Sequence, residues 1–90
     1  MTGPYRTPIP MPDPGTPRAV LSLWYVRPGD RVFAGDRVAE VLISGATVDI
    51  PAPVDGVLAD RFVMPNDRVA PGQILGEVWA DEENRPLEIN

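Results

Sequence analysis

Residues 20–41, VLSLWYVRPGDRVFAGDRVAEV, return 37 positions later as residues 57–78, VLADRFVMPNDRVAPGQILGEV. Ten aligned pairs are identical, and they include both apolar positions and turn residues. These pairs are Val20/Val57, Leu21/Leu58, Val26/Val63, Pro28/Pro65, Asp30/Asp67, Arg31/Arg68, Val32/Val69, Gly35/Gly72, Glu40/Glu77 and Val41/Val78. We interpret the repeat as two copies of one unit, strand–turn–short strand–turn–strand, and predict that a pseudo-two-fold axis relates them.

The residues between the turns predict β-structure. No window has an apolar stripe with the 3.6-residue period of a helix, and short runs rich in β-branched residues are separated by Gly, Pro, Asn and Asp. The pair Gly29 and Asn66 fits this, because both residues tolerate the left-handed conformation that turns require. We therefore predict an all-β fold, a flattened barrel or sandwich of two antiparallel sheets packed face to face. The predicted strands cover residues 20–26, 37–43, 46–50, 56–63 and 73–79.

The ends of the chain differ in composition from its middle. Six prolines lie within the first 17 residues, at Pro4, Pro8, Pro10, Pro12, Pro14 and Pro17. Such a segment is typical of an extended tail or an edge strand. The last ten residues are acidic and polar, which is typical of a frayed end. We predict a flexible N-terminal tail over residues 1–7, one domain over residues 8–80 and a flexible acidic tail over residues 81–90.

The composition limits the possible chemistry. The chain has 90 residues, 43% of them hydrophobic, and a net charge of −5 with no basic run, so we expect no nucleic-acid partner. It has no Cys and no His, which excludes thiolate metal sites and the commonest general base. All eight basic residues are arginines, so the chain contains no lysine. The apolar runs are too short to span a membrane, and the N-terminus has no secretory pattern. The expected location is the cytoplasm.

Several stretches resemble the biotinyl/lipoyl attachment domain family. The first repeat is similar to the first half of such a domain, the second repeat to its second half, and residues 46–56, ATVDIPAPVDG, to the stretch after the modified lysine. Residues 9–15, IPMPDPG, are similar to the opening strand in acyltransferase components of 2-oxo acid dehydrogenase complexes. The resemblance covers about residues 8–80 and implies a barrel-sandwich of two four-stranded sheets. It favours the lipoyl type, because the biotinyl type has a Met-Lys-Met turn that is missing here.

The chain departs from the family at the attachment site. The resemblance places the family's modified lysine at Gly45, with Ser44 at the usual acidic position and Ala46 after it. Ser-Gly is also a good two-residue hairpin turn. We therefore expect a tight turn with no cofactor: neither lipoate nor biotin is attached.

Other residues have structural and functional interpretations. Asp30, Asp36 and Asp67 could form a calcium site, but their neighbours favour turn residues that cap their own backbone. Asp49 and Asp55 could form an acid–base pair, but solvated carboxylates are the better interpretation. Trp24 is either a packing residue or an interface anchor. One of the adjacent residues Leu42 and Ile43 must face away from the core. The candidate partner surface is Leu42, Ile43 and Trp24.

Three classes of function compete. The first is a lipoyl-like module without cofactor that acts as a non-enzymatic interaction or structural domain with an unknown protein partner. The second is an acyl carrier of a 2-oxo acid dehydrogenase system, which the absence of lysine argues against. The third is an enzyme, for which no constellation of catalytic or metal-binding residues is present. The sequence favours the first, without a membrane or nucleic-acid partner.

Overall fold

A computed structural model describes residues 2–13 and 18–81, with the side chains of residues 5–13 and 18–81. The described residues form eight strands and no helix. The strands are β1 (Thr2–Pro10), β2 (Ala19–Trp24), β3 (Arg31–Val32), β4 (Arg37–Ile43), β5 (Ala46–Pro51), β6 (Gly56–Arg61), β7 (Arg68–Val69) and β8 (Ile74–Asp81). They confirm the predicted all-β class, and each of the five predicted strands overlaps an observed one.

The strands form two antiparallel four-stranded sheets. Sheet 1 has the order β1-β8-β6-β3 and sheet 2 the order β5-β4-β2-β7. A shift of 37 residues exchanges β2 with β6, β3 with β7 and β4 with β8, and it therefore converts three strands of one sheet into three strands of the other. This topology is the one that the predicted pseudo-two-fold relation requires.

Small irregularities obey the same symmetry. The β2–β4 pairing shifts register between Leu21 and Leu23, and the β6–β8 pairing shifts between Leu58 and Asp60, 37 residues later. In the first half, the Gly29 amide donates to the carbonyl of Leu58 at 2.8 Å. In the second half, the Asn66 amide donates to the carbonyl of Leu21 at 2.8 Å. Gly29 has φ 97° and Asn66 has φ 76°, which confirms the left-handed conformation expected at both positions.

The strands β1 and β5 extend the symmetry beyond the repeat. The amide of Met11 donates to the carbonyl of Gln73 at 2.8 Å, and the amide of Ala52 donates to that of Asp36, also at 2.8 Å. Asp36 and Gln73 are equivalent in the two repeats. Residues 9–12, IPMP, are therefore the structural equivalent of residues 50–53, IPAP. Each half therefore supplies four strands.

The core lies between the two sheets, where inward-facing residues of both are buried. Its largest fully buried apolar side chains are Ile9, Met11, Leu21, Val32, Val38, Val41, Ile50, Leu58, Leu75 and Val78. Half-buried Trp24, Val26 and Val54 pack against this cluster.

The two ends of the domain differ from their predicted bounds. β1 begins at Thr2 and pairs with β8, so most of the segment expected to be a tail is an edge strand. Asp81, expected to be the first residue of the acidic tail, ends β8 and is 2% exposed. β1 is the edge strand of sheet 1 and is held by its ladder hydrogen bonds to β8, so the second interpretation of the proline-rich segment, an edge strand, is the one that applies. The rest of the predicted tail, residues 82–90, lies outside the described residues.

Candidate functional site: the β4–β5 hairpin and its surroundings

The hairpin tip consists of Ser44 and Gly45. Ile43 and Ala46 are the last paired residues of β4 and β5, so the connection has two residues, as predicted. Ser44 has φ 50° and Gly45 has φ 83°. Positive φ at both central positions is the property of a type I′ turn, the tight turn that matches the twist of the flanking strands. A Cβ atom added at Gly45 would meet nothing within 4 Å, so the tip projects into open space.

Leu42 and Ile43 flank the tip on opposite faces of β4. Leu42 is 43% exposed, whereas Ile43 is 9% exposed and belongs to the core. The alternation of side chains along a strand is the reason. Ile43 is therefore corrected from a candidate surface residue to a core residue, and Leu42 is the exposed one of the two.

Trp24 lies away from the tip. It pairs with Ala39, near the opposite end of β4 from Leu42, so the structure does not bring Trp24 and Leu42 together. Its indole Nε1–H donates to the carbonyl oxygen of Val63 at 2.9 Å, and the ring packs against the core. These contacts agree with the interpretation of Trp24 as a packing residue.

The turn aspartates cap their own loops. The amides of Arg27 and Phe33 donate to the carboxylates of Asp30 and Asp36 at 2.8 and 2.9 Å. Asp67 accepts from the Met64 amide at 2.8 Å. Within residues 2–13 and 18–81, no group of three or more acidic side chains is placed to hold a metal ion. The capping interpretation is confirmed.

Asp49 and Asp55 have different partners. The carboxylate of Asp55 accepts from the Ala34 amide at 2.7 Å, whereas Asp49 lies 3.7 Å from the Arg37 guanidinium. Asp49 also accepts a long hydrogen bond, 3.4 Å, from the hydroxyl of Tyr25. Partial desolvation and the negative charges of Glu40 and Asp49 raise the pKa of Tyr25 above its ordinary value of 10.0. The two aspartates do not form an acid–base pair.

A row of side chains crosses the outer face of sheet 2 beside the tip. The register places Thr47, Leu42, Val20 and Arg68 next to one another, one strand each. Thr47, Leu42 and Arg68 are exposed and Val20 is half-buried. The row therefore combines an apolar centre with a cation at one end.

Next to this row lies an open pocket of about 320 Å³, lined by Arg18, Ala19, Val20 and Arg68. Sequence reasoning missed this pocket. The repeat could have indicated it. Arg31 and Arg68 are an identical pair, but the positions that follow the two repeats at 81 and 44 hold Asp and Ser, so the two arginines have different neighbours.

Two four-stranded antiparallel sheets with pseudo-two-fold symmetry and one protruding hairpin define the class of lipoyl-type barrel-sandwich domains. The solved lipoyl domain of the 2-oxoglutarate dehydrogenase complex from Azotobacter vinelandii has this fold. It aligns with a TM-score of 0.64 and 20% identity, covering 84% of this chain and 96% of the solved one. At this identity the likeness defines the fold alone.

The sequence comparison gives the family. The profile of the Biotin_lipoyl family, described as "Biotin-requiring enzyme", matches residues 7–78, and the chain belongs to this family. The lipoamide acyltransferase component of the branched-chain alpha-keto acid dehydrogenase complex of Pseudomonas putida is 38% identical over 83 residues, which is 90% of this chain. The dihydrolipoyllysine-residue acetyltransferase component of the pyruvate dehydrogenase complex of Rickettsia felis is 26% identical over 87 residues, or 97% of this chain.

The chain spans only about a fifth of the length of these relatives, 20% and 21%. In the part of the chain that the structure describes, no helix could cross a membrane.

Proposed function

We propose that this chain is a lipoyl-like module without an attachment lysine, which acts as a non-enzymatic interaction or structural domain. One observation carries the proposal: the 90 residues contain eight arginines and no lysine. Lipoate and biotin are attached through a side-chain amine, and the chain has none to offer.

The hairpin supports the proposed position of the missing lysine. The family resemblance aligns Gly45 with the modified residue, and Gly45 is the second residue of a two-residue tip. Glycine is the residue that such a turn prefers once no side chain is needed there. This supports an attachment position that has been lost while its supporting hairpin has been kept.

The alternative is an acyl-carrier domain, which the names of the relatives favour because they refer to lipoamide and dihydrolipoyllysine. That function needs the amide bond between cofactor and lysine. The composition of this chain therefore argues against it, and we propose no bound cofactor and no catalysis.

Mass spectrometry tests the proposal. The protein is co-expressed with a lipoate ligase, and in a second culture with a biotin ligase, and its intact mass is measured. We expect the unmodified mass in both cultures. The variant Ser44→Asp/Gly45→Lys serves as a positive control, because it restores the acidic residue and the lysine. A parent protein that gains the mass of one cofactor would contradict the proposal.

The proposed partner surface is centred on Leu42. Leu42 is exposed beside Val20 on the outer face of sheet 2, where the family usually has charge. Partner capture from an extract of the native host is compared between the parent, Leu42→Ser and Phe62→Ser. Phe62 is a suitable control because it is 54% exposed but follows β6 in sheet 1. We expect loss of capture for Leu42→Ser alone, and equal capture by all three proteins would contradict this role. Fractionation of the same host tests the expected cytoplasmic location.

A further inference from the structure

The pocket beside the hairpin has a two-fold counterpart that is filled. The repeat relates the pocket residues Arg18, Ala19 and Val20 to the residues 37 positions later, Asp55, Gly56 and Val57. It relates the fourth pocket residue, Arg68, to the residue 37 positions earlier, Arg31. In that counterpart Asp81 lies against Arg31: its Oδ1 accepts from Nη1 at 2.7 Å and its Oδ2 from Nη2 at 2.5 Å. The amide of Asp81 also donates to the carbonyl of Asp55 at 3.0 Å.

These contacts show what the counterpart is shaped to hold. A planar guanidinium and a carboxylate form two parallel charge-assisted hydrogen bonds, a fork that favours carboxylates over single-point acceptors. The carboxylate of Asp81 is almost completely removed from solvent, with 3% of its side chain exposed. The position is therefore a built carboxylate site, completed by the last residue of β8.

The pocket in sheet 2 lacks that last residue. The position equivalent to Asp81 is Ser44, where the chain turns back into β5 and offers no carboxylate. Within the described part of the chain, no carboxylate pairs with Arg68. The pocket thus has the arginine of a carboxylate site but no carboxylate of its own. Arg18 adds a second cation at the position where the counterpart around Arg31 has Asp55.

We propose that this pocket binds an aspartate side chain on an extended segment of a partner protein, with an apolar neighbour of that aspartate packing on Leu42. Arg68 donates two hydrogen bonds to the carboxylate, as Arg31 does to Asp81, and Arg18 adds positive charge. The apolar contact follows from the row in which Val20 stands between Arg68 and Leu42. The inference deepens the proposed function, because it names the chemistry of the partner.

The test is a titration of the isotope-labelled full chain followed by amide resonances in NMR. The probes are the capped peptide Gly-Leu-Asp-Leu-Gly, the same peptide with asparagine in place of aspartate, and sodium acetate. We expect the aspartate peptide to shift the amides of Ala19, Val20 and Arg68 in a saturable way. The asparagine peptide should bind about tenfold more weakly, the difference expected when a charge-assisted hydrogen-bonded pair is lost.

Two variants separate the pocket from general charge effects. Arg68→Gln should weaken the aspartate peptide about tenfold. Arg27→Gln, which removes another exposed arginine from a turn outside the pocket, should leave the affinity unchanged. Arg68 is exposed, so both variants should give the dispersed spectrum of the folded parent.

Three results would overturn the inference: equal binding of the two peptides, an Arg68→Gln variant that binds like the parent, or acetate that saturates the same amides as readily as the peptide. The last result would define a site for simple anions instead of a partner segment. The titration is independent of the mass measurement above, so lipoylation of the parent would refute the proposed function without changing the outcome at the pocket.

Discussion

Trp24 of the first repeat donates its indole proton to the carbonyl oxygen of Val63 in the second repeat, at 2.9 Å. The same ring approaches Gly76, where an added Cβ atom would lie 3.1 Å from Cη2 of Trp24. The side chain therefore connects the two sheets by one hydrogen bond and by close packing. Its equivalent in the second repeat is Arg61, whose Nη1 donates to the carbonyl of Val26 at 3.5 Å, so a guanidinium makes the symmetry-related but longer contact.

Trp24→Phe should lower the free energy of unfolding by roughly 1–2 kcal/mol, because it removes the hydrogen bond and part of the packed ring. Urea denaturation followed by circular dichroism measures the change. Tyr25→Phe is the matched control: the hydroxyl that it removes makes only long hydrogen bonds, of 3.3 and 3.4 Å, and we expect a change below about 0.5 kcal/mol. Equal losses for both variants would contradict the assigned role of the indole.

Asp81→Asn should destabilise the domain by about 1–3 kcal/mol, because it replaces one of the two acceptor oxygens facing Arg31 by an NH2 donor and removes the charge that strengthens the remaining hydrogen bond. Asp60→Asn provides the comparison, since Asp60 pairs with Arg6 but 50% of its side chain is exposed. An exposed pair contributes less than about 1 kcal/mol. Thermal unfolding of both variants at one pH is the measurement, and a larger loss for Asp60→Asn would show that burial does not govern the two pairs.

Gly45→Lys should cost about 1–2 kcal/mol, because its backbone is left-handed and a side chain there is strained even in open space. For a domain of this size, that lowers Tm by about 4–8 °C per kcal/mol. Thr47→Lys places the same amine in the adjacent strand and should change Tm much less. We further expect partial lipoylation of Gly45→Lys and a higher yield with Ser44→Asp added. A folded double variant that is never modified would show that the attachment position is not at Gly45.

Ile43→Ala should destabilise the domain by about 2 kcal/mol, because it removes buried methyl groups from the core. Leu42→Ser should change stability by about 0.5 kcal/mol, since its side chain stands in solvent. Chemical denaturation of the two variants distinguishes the faces of β4. The reverse order of the two losses would place Leu42 in the core.

The repeat predicted the order of strands and turns well, because its identical residues include turn residues whose effect depends only on their sequence neighbours. Asp30 and Asp67 follow the same Pro-x step in both halves, and each caps its own turn, so the turns could be predicted without tertiary information. The strand β1 was harder, because residues 9–12 match residues 50–53 at a spacing of 41 instead of 37. A comparison of the sequence with itself at a spacing of 37 residues therefore does not align β1 with β5, and β1 is left as a proline-rich segment without a recognisable repeat equivalent.

The candidate site was predicted only in part. Alternation predicted that Leu42 and Ile43 face opposite ways, but not which of them is buried. The β4–β5 pairing is irregular between Arg37 and Ala39, and both Val38 and Ala39 are buried, so counting alternate residues from the start of β4 fails. The composition of the last residues predicts a tail that includes Asp81, because the residue that pairs with it, Arg31, lies 50 positions away. Such a pairing has no local sequence pattern.

The two short strands β3 and β7 have exchanged sheets. β3 belongs by sequence to the first repeat but pairs with β6 of the second, and β7 pairs in the same way with β2 of the first. Neither half can therefore complete its own sheet during synthesis, and the first half must wait for residues after position 67 before its edge is closed. Sheets assembled from such distant segments fold on the timescale of milliseconds to seconds. The exchange also makes the domain one cooperative unit, so that unfolding of either half exposes the edge of the other.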